Sequence, residues 1–397
     1  MSLPIRAREI LGALRLGIAS HLARPRHLAL IAAGFAIADM TVTPLIAIPQ
    51  GLERLAGSTG RGDIAIVLGA SAQGEADSTL KPELAALIAG LPGVAHDDGG
   101  RPLVASQFVT QIRLRRSDGT AASVQMRGIG EATWQLLGGA LPASAGGGFR
   151  SGAAELVAGA AAASDIAALE PGAEIRVRDS LWRIAGRFEG GGLWDSELWT
   201  DLAPLQAVFN ADGAVSVVWA RLESPAAFGG FAAALESDKR LRDARTELQT
   251  SYYARQVRLV SRFARIAAAA IAATLGLGAT LAIGNAVTMA LLARRRETAV
   301  LRALGYRRAS LAAALMIEVA LIGIVTAGAV SLLAYAVMDG RPIGTSTGTQ
   351  AVSFVLAVSA NLVLCAVGYA LLLGVVSACW PVKQIVTAPI IAALGDG

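Results

Sequence analysis

The sequence predicts an α-helical membrane protein with four transmembrane helices, one followed by three, and a large extracytoplasmic α+β domain between helices one and two. Three observations predict it: an apolar composition, four long apolar runs, and one long interval without such a run. Of the 397 residues, 54% are hydrophobic and only 16% are charged, and the mean hydropathy is +0.53. Because soluble domains carry about 25% charged residues, this composition excludes a wholly soluble protein. It also excludes a disordered chain, which would be more polar and more highly charged.

The four apolar runs cover residues 27–49, 266–293, 311–338 and 352–380. Each reaches the roughly 20 residues that a helix needs to cross a bilayer. The first run could alternatively be a cleaved signal peptide. It follows an arginine-bearing segment and is longer than the apolar core of a signal peptide, so a retained transmembrane helix is favoured.

Short basic segments predict the orientation, because cytoplasmic loops are rich in arginine and lysine. Five arginines precede the first run, and six lie between residues 294 and 308 against the single acid Glu297. Both termini are therefore expected in the cytoplasm, with the interval 50–260 and the loop 339–351 outside. The arginines between 255 and 265 would lie outside the membrane, which this rule disfavours. Long translocated domains largely escape the rule, so the orientation is kept.

The first 26 residues predict a cytoplasmic amphipathic helix. Ala7, Leu11, Leu14, Ile18 and Leu22 recur at helical spacing, while the arginines fall on other faces and Pro25 ends the helix. Such a helix lies along the inner membrane surface with its arginines toward anionic head groups. The alternative is a cytosolic cap that does not contact lipid.

The interval 50–260 predicts an α+β domain with two subdomains. Residues 104–115 and 121–128 alternate in polarity around Ser117-Asp118-Gly119-Thr120, which indicates a hairpin. A second hairpin is expected over 174–178 and 181–188, and the glycine-rich stretch 138–148 is expected to join the two subdomains. A final helix starting near Ser251 is expected to continue as a stalk into the second span, so that stalk and span cover 261–293.

The charge distribution argues against a nucleic-acid partner, although the isoelectric point is about 9.6. Residues 51–250 contain 18 Lys and Arg against 24 Asp and Glu, a net charge of −6. The positive charge is therefore confined to the segments that flank the membrane, where it is expected to meet membrane lipids.

No motif for chemistry occurs in the sequence. It contains no GxxxxGK[ST], HExxH or GxSxG pattern, its three histidines are scattered, and its two cysteines, Cys365 and Cys379, are too far apart on one helix for a disulfide. We therefore expect no catalytic, metal or cofactor site on this chain. Two acids, Asp39 and Glu318, fall within predicted spans, where a central charge costs roughly 2.5–3.5 kcal/mol, so each is expected to need a partner, water or a proton.

The most specific signal lies between the second and third runs, at residues 294–310. These read RRRETAVLRALGYRRAS, which resembles the cytoplasmic loop of the FtsX/MacB-type ABC transporter permeases. In that family the loop is a coupling helix that docks into the ATPase subunit. The resemblance implies that the ATPase-coupling residues here are Arg296, Glu297, Val300, Leu301, Arg302, Leu304 and Gly305. The apolar members would enter a cleft of the ATPase, and Gly305 fits a C-cap.

The resemblance extends beyond this loop. Glu318 matches an acid that the family carries early in its third span, and the layout of one span, an outside α+β domain and three spans is the family's. The tail 381–397 is similar to the family's closing segment, but Val386 and Thr387 stand where Arg or Asp is frequent. No ATPase domain is fused, so the chain resembles the short permeases.

The resemblance implies a permease subunit of a multi-pass bacterial inner-membrane transporter. ATP and Mg would bind a separate ABC ATPase, a second permease would complete a homodimer or heterodimer, and a membrane-fusion (periplasmic adaptor) protein is a further candidate partner. The expected activity is export or extraction of an amphiphilic substrate such as a lipid, lipoprotein or hydrophobic molecule. The alternative is a signal transmitter that activates an extracytoplasmic partner such as a cell-wall hydrolase.

Overall fold

The computed structural model describes residues 5–137, 143–146, 148–339, 342–347, 350–356 and 358–389. The chain divides into a helical unit, residues 1–49, 263–340 and 356–397, and a sheet unit, residues 50–262 and 341–355. The helices are α1 (Ile5–Ala23), α2 (Pro25–Gly57), α3 (Leu84–Ala89), α4 (Glu131–Leu136), α5 (Ala160–Asp165), α6 (Leu202–Val208), α7 (Phe228–Ser237), α8 (Gln249–Leu292), α9 (Arg295–Ala303), α10 (Arg308–Met338) and α11 (Ala360–Thr387).

The strands are β1 (Ile64–Gly69), β2 (Val104–Arg115), β3 (Ala121–Ile129), β4 (Ala143–Gly146), β5 (Glu155–Gly159), β6 (Glu174–Val177), β7 (Ser180–Phe188), β8 (Glu197–Asp201), β9 (Val217–Arg221), β10 (Ala244–Leu248), β11 (Pro342–Thr347) and β12 (Gln350–Val355).

Four helices of the described chain are long and apolar enough to cross a membrane: α2, α8, α10 and α11. They correspond to the four predicted runs, with the sheet unit's main segment between the first and the second. The helix expected to start near Ser251 and to continue into the second span corresponds to α8, one continuous helix of 44 residues. The predicted fold class is therefore confirmed.

The fourth helix differs from the predicted run 352–380. Residues 350–355 form β12, which pairs with β11 in an antiparallel hairpin, so the predicted loop 339–351 is largely strand as well. The helix starts only at Ala360, after Ser359 accepts a hydrogen bond from the backbone N–H of Leu362 at 3.2 Å, as an N-cap does. It then continues to Thr387 with Pro381 inside it. The apolar run thus joins a strand and a helix, which hydropathy alone does not separate.

Small residues bring the helices of the helical unit together. Phe35 of α2 lies against Gly323 of α10 and Gly374 of α11, where an added Cβ would stand 3.1 Å and 3.4 Å from its ring. Glycine at these positions lets the backbones approach closely, as is usual between helices in lipid. Phe35 belongs to the buried apolar core that also includes Ile31, Ile283, Val319 and Leu373.

The sheet unit is built on one ten-stranded sheet in the order β10-β1-β9-β2-β3-β8-β5-β7-β4, with β6 paired to β7. Both predicted hairpins are present as antiparallel pairs, β2 with β3 and β6 with β7. β5, β8 and β10 were not predicted; β5 and β8 are buried throughout their length and so lack the alternation of a half-buried strand.

The sheet changes partners within β2. Residues Val104–Gln107 pair with β9, and Phe108–Arg115 pair with β3. The part of the sheet containing β3 to β8 is therefore an insertion between β2 and β9. The predicted junction at 138–148 falls mostly outside the described residues.

A buried ion cluster lies in the core of the sheet unit. The guanidinium of Arg127 donates to Glu75 at 2.6 Å and to Glu197 at 2.7 Å, and it also donates to Gln107 at 2.7 Å. It lies 5.1 Å from the ring centre of Trp219. Buried charges of this kind need such complete hydrogen bonding, so the cluster ties β2, β3 and β8 to the loop that contains Glu75.

Candidate functional site

The segment singled out by its motif forms the short helix α9 between α8 and α10. Glu297 stands in its first turn and Arg302 in its last, so each charge opposes the partial charge at its end of the helix dipole. Arg302 also donates a hydrogen bond to the backbone carbonyl of Ala388, just after α11. The helix is thereby held at its C-terminal end by the closing segment of the chain.

Gly305 ends α9 in the manner expected for a C-cap. Its φ is +97°, a left-handed conformation that favours glycine. The N–H of Tyr306 donates to the carbonyl of Leu301 at 3.1 Å, and that of Gly305 donates to Arg302 at 3.1 Å. These two bonds form a Schellman motif, which fixes the turn from α9 into α10.

The two faces of α9 differ sharply in exposure. Thr298 and Ala299 are buried against the rest of the helical unit. Val300 is 47% exposed and Leu304 is 72% exposed, while Leu301 is half-buried and Arg296 is exposed. Val300 and Leu304 are therefore exposed apolar side chains on a short, capped helix, and the ATPase contact that the resemblance implies for them stays a prediction.

Glu297 already has partners inside the helical unit. Its Oε1 accepts hydrogen bonds from Nη2 of Arg24 at 2.8 Å and from the hydroxyl of Ser20 at 3.4 Å. Its Oε2 lies 3.4 Å from Nε of Arg294. Burial by itself raises the pKa of Glu297, but the hydrogen bonds from Arg24 and Ser20 outweigh burial and hold its pKa below the ordinary value. Glu297 therefore joins α9 to the N-terminal helix.

Glu318 of α10 is paired with Arg294, at the start of α9. Nη1 of Arg294 donates to Oε1 of Glu318 at 2.6 Å, and the two side chains are only 9% and 4% exposed. Gly17 of α1 lies against this pair, since an added Cβ would stand 2.4 Å from Oε2 of Glu318. The partner that Glu318 was expected to need is thus an arginine from the basic segment.

Asp39 is not part of this arrangement. It is buried in α2, and neither of its carboxylate oxygens has a hydrogen-bond partner among the residues that the structure describes. The sequence marked both intramembrane acids in the same way, but only Glu318 lies beside α9.

The residues that sequence analysis missed are those on α1 and the first of the three consecutive arginines. Gly17 and Ser20 of α1 and Arg24 just after it contact Glu297 or Glu318 from about 300 positions away in the chain, and no sequence pattern signals such a contact. In the sequence, Arg294 served only as one of the basic residues that predict the orientation in the membrane. Its position next to a span that carries Glu318 is the one signal that could have suggested the ion pair.

The packing of α1 also differs from the amphipathic prediction. The buried positions of α1 are Ala13 and Gly17, and α1 packs on α10 through these small residues. Leu11 and Ile18, on the predicted apolar face, are exposed. Ala7 and Leu14, on the same predicted face, are half-buried, so the lipid contact of α1 stays a prediction.

A comparison with protein families decides the nature of this region. The family model described as the FtsX-like permease C-terminal domain matches residues 269–390, a range that contains α9, α10 and α11. This part of the chain is similar to the FtsX-like permease C-terminal domain. The resemblance inferred from the motif at 294–310 is thereby confirmed, and FtsX-like permeases are membrane components of ABC transporters. No curated protein matches the sequence significantly.

Two solved structures are similar to the chain. One is the extracellular domain of the noncanonic ABC-type transporter YknZ from Gram-positive bacteria, at 14% identity and a TM-score of 0.35, covering 46% of this chain and 99% of that one. The other is the periplasmic region of MacB from Actinobacillus actinomycetemcomitans, at 12% identity and a TM-score of 0.34, covering 48% of this chain and 90% of that one.

Side chains suited to metal binding are not clustered in the described part of the chain. No group of three or more His, Cys, Asp or Glu residues there could hold a metal ion.

Proposed function

We propose that this chain is the permease subunit of an ABC transporter and that α9 is the helix on which a separate ATPase subunit docks. The single observation that carries the proposal is the position of α9. It lies inside the matched FtsX-like domain, and Val300 and Leu304 on it are exposed. ATP and Mg would bind the ATPase, not this chain.

The geometry of α9 suits the transmission of movement. The helix is capped by Gly305, and the chain then continues into α10. Arg302 bonds to the carbonyl that follows α11, and Glu297 bonds to α1. Movement of the exposed face of α9 is therefore transmitted to α1, α10 and α11. Coupling of this kind needs a two-state element and no chemistry at the docking residues. The docking surface comprises Arg296, Val300, Leu301 and Leu304, and Glu297 holds α9 in place from behind.

We further propose that the movement serves an amphiphilic substrate, such as a lipid, lipoprotein or hydrophobic molecule, at the membrane that this chain spans. Charges within the predicted spans are few, which suits such a substrate better than a hydrophilic one passing through a channel. A second permease, either another copy of this chain or a related one, would complete the assembly, and an adaptor protein is a candidate further partner.

The docking proposal is tested by cross-linking in a background in which Cys365 and Cys379 are replaced by alanine, because both are exposed. Val300→Cys is expected to cross-link to the P-loop ATPase that co-purifies with the full chain. Ser117→Cys, an equally exposed position on the sheet unit, is the control and is expected to give no such product. A cross-link to the ATPase from Ser117→Cys alone would contradict the proposal.

The coupling proposal is tested by breaking α9. Proline lacks a backbone N–H and its ring clashes with the carbonyl four residues earlier. Ala303→Pro, at the last residue of α9, is therefore expected to disrupt the final turn and to lower permease-dependent stimulation of the ATPase by about tenfold or more, while Ala303→Ser preserves it. Membrane insertion is checked for both variants. Full stimulation in the Pro variant would rule out a coupling role for α9. If stimulation follows the prediction but no lipid, lipoprotein or hydrophobic molecule moves, a signalling role replaces transport.

A further inference from the structure

A cavity of about 660 Å³ lies between α1, α9 and α10 in the helical unit. This volume is within the range of roughly 300–1,000 Å³ typical of sites for small molecules. Most of its lining is apolar and comes from all three helices, including Leu16, Val300, Leu301, Leu304, Leu311 and Leu315. A flexible hydrocarbon chain can fill such a space without leaving a polar group unsatisfied.

The polar groups of the cavity are mainly cationic. Arg24, Arg294 and Arg296 line it, against the single acid Glu297. Arg294 is committed to Glu318 behind the wall. Arg24 is held less tightly, because its ion pair with Glu297 has side-chain exposures of 37% and 44%. Guanidinium groups match the oxygen geometry of phosphate, and a bidentate contact adds strength.

The cavity is lined by one exposed leucine of α1, Leu16. Leu11, Leu16 and Ile18 on this helix are all at least 42% exposed, and α1 also carries the exposed Arg8 and Arg15. A helix with exposed leucines and arginines has the composition of one that lies at a membrane surface. Of these residues only Leu16 lines the cavity. At 3.6 residues per turn, Leu11 and Ile18 lie about 140° and about 160° around the helix from Leu16, so the cavity is open at Leu16 while Leu11 and Ile18 face away from it.

We propose that this cavity binds one membrane phospholipid with an anionic head group. The acyl chain lies along the leucines of α1, α9 and α10, and the phosphate binds the guanidinium of Arg24 with Arg296 nearby. A free inorganic anion would not use the apolar wall, and an uncharged lipid would not use the arginines. The combination selects an anionic amphiphile.

Lipid binding at this site has a consequence for α9. Arg24 pairs with Glu297 in the structure, so a bound phosphate shares Arg24 with that carboxylate. The lipid then bridges α1 and the first turn of α9. The four residues proposed to dock the ATPase, Arg296, Val300, Leu301 and Leu304, all line this cavity, so a lipid bound there and the ATPase compete for the same face of α9. Binding itself does not depend on that docking role.

The test uses the full chain, purified in detergent without any ATPase, and a phosphatidylglycerol that carries a diazirine in its acyl chain. Photolabelled peptides are identified by mass spectrometry. The label is expected to concentrate on α1, α9 and α10 around the cavity, and unlabelled phosphatidylglycerol is expected to displace it far better than phosphatidylcholine. Label spread evenly over the exposed faces of α2, α8, α10 and α11 would overturn the proposal.

Two pairs of matched variants separate the contributions of charge and apolar wall. Arg24→Gln is expected to weaken displacement by phosphatidylglycerol by about tenfold, because a charge-assisted hydrogen bond is lost, whereas Arg15→Gln, on α1 and outside the cavity lining, leaves it within about twofold. Leu16→Asp is expected to abolish cavity labelling, whereas Leu11→Asp, equally on α1 but outside the cavity, does not. Equal effects within either pair would contradict a specific site.

A further variant excludes a merely structural explanation for Arg24. Glu297→Gln breaks the same ion pair as Arg24→Gln but leaves the guanidinium in place and removes its competitor. Lipid binding is therefore expected to persist or to strengthen in Glu297→Gln. Loss of binding in both variants to the same extent would show that the ion pair only holds the fold, and the proposal would fail.

Discussion

At the scale of single residues, the Arg294–Glu318 pair has the clearest energetic consequence. Both side chains are almost fully buried, and Glu318 lies in a helix long and apolar enough to span a membrane. A charge in that setting is expensive, but a bond of 2.6 Å to the opposite charge offsets much of the cost. Gly17 contributes by having no side chain, since a Cβ would collide with the carboxylate of Glu318.

We predict an asymmetric response when this pair is broken. Arg294→Ala removes the cation that lies 2.6 Å from the buried Glu318 carboxylate and is expected to destabilise the helical unit by up to about 3–5 kcal/mol. Glu318→Ala is expected to cost less, because Arg294 can still pair with Glu297 at 3.4 Å. Unfolding of the full chain by increasing fractions of a denaturing detergent, followed by circular dichroism, measures both.

The double variant Arg294→Met with Glu318→Leu is the control for this prediction. It removes both charges and keeps most of the volume, so its cost is expected to be smaller than that of Arg294→Ala alone. Strictly additive costs would mean that the two side chains do not interact and that their proximity is incidental.

At the scale of elements, the start of α8 is fixed to the last strand of the large sheet. Glu247 on β10 pairs with Arg245 at 2.7 Å and with Arg255 of α8 at 2.6 Å. Tyr253 of α8 accepts a hydrogen bond from the indole N–H of Trp194 at 2.8 Å. The first turns of the helix are therefore part of the sheet unit's core, so movement of these turns must deform or carry the sheet.

The pH dependence of this attachment follows from Glu247. Burial raises its pKa, but hydrogen bonds from Arg255 and Arg245 outweigh burial and hold the pKa below the ordinary value. The ion pairs of Glu247 with Arg245 and Arg255 therefore contribute their full stabilisation of the folded state above the unfolded pKa of about 4.3. This stabilisation is lost as the pH falls through the lower pKa that Glu247 has in the folded state.

We accordingly predict that Glu247→Gln lowers the free energy of unfolding by on the order of 1 kcal/mol at neutral pH, a value reduced by solvent screening. The difference from the unmodified chain should shrink as the pH falls below about 4.3. Urea unfolding followed by tryptophan fluorescence measures it, since Trp194, Trp199 and Trp219 lie in the sheet unit's core. The exposed Glu174→Gln is the control, and a difference that grew at low pH would contradict the assignment.

At the scale of the whole molecule, the arginine distribution predicts cytoplasmic termini and a cytoplasmic α9. In a background without Cys365 and Cys379, Ser117→Cys is expected to react with a membrane-impermeant thiol reagent added to intact cells. Ala309→Cys is expected to react only after permeabilisation. Both positions are exposed, whereas the neighbouring Ser310 is buried and unsuited to labelling. The reverse labelling pattern would show that the topology is inverted and that α9 lies on the side of the membrane without the ATPase.

Much of the fold could be predicted because the relevant signals are local. The β2–β3 hairpin follows from alternating polarity around a turn, the C-cap of α9 follows from one glycine, and the long α8 follows from a continuous helical pattern. The same reasoning missed β5 and β8, which are short and wholly buried. It also merged β12 with α11, because strand and helix there are equally apolar.

The features of the candidate site also separate into those predicted from local sequence and those that depend on packing. By itself the sequence determined that the chain has four membrane-capable segments. It also determined where the short helix between two of them lies and which residues of that helix are apolar. Length, composition and periodicity are properties of contiguous residues, so no tertiary information was needed. Only the tertiary structure decided that Glu297 meets Arg24, that Glu318 meets Arg294, and that α1 packs through Ala13 and Gly17. These pairings depend on how closely helices far apart in sequence can approach, and that approach is set by small residues whose effect appears only when the helices are packed.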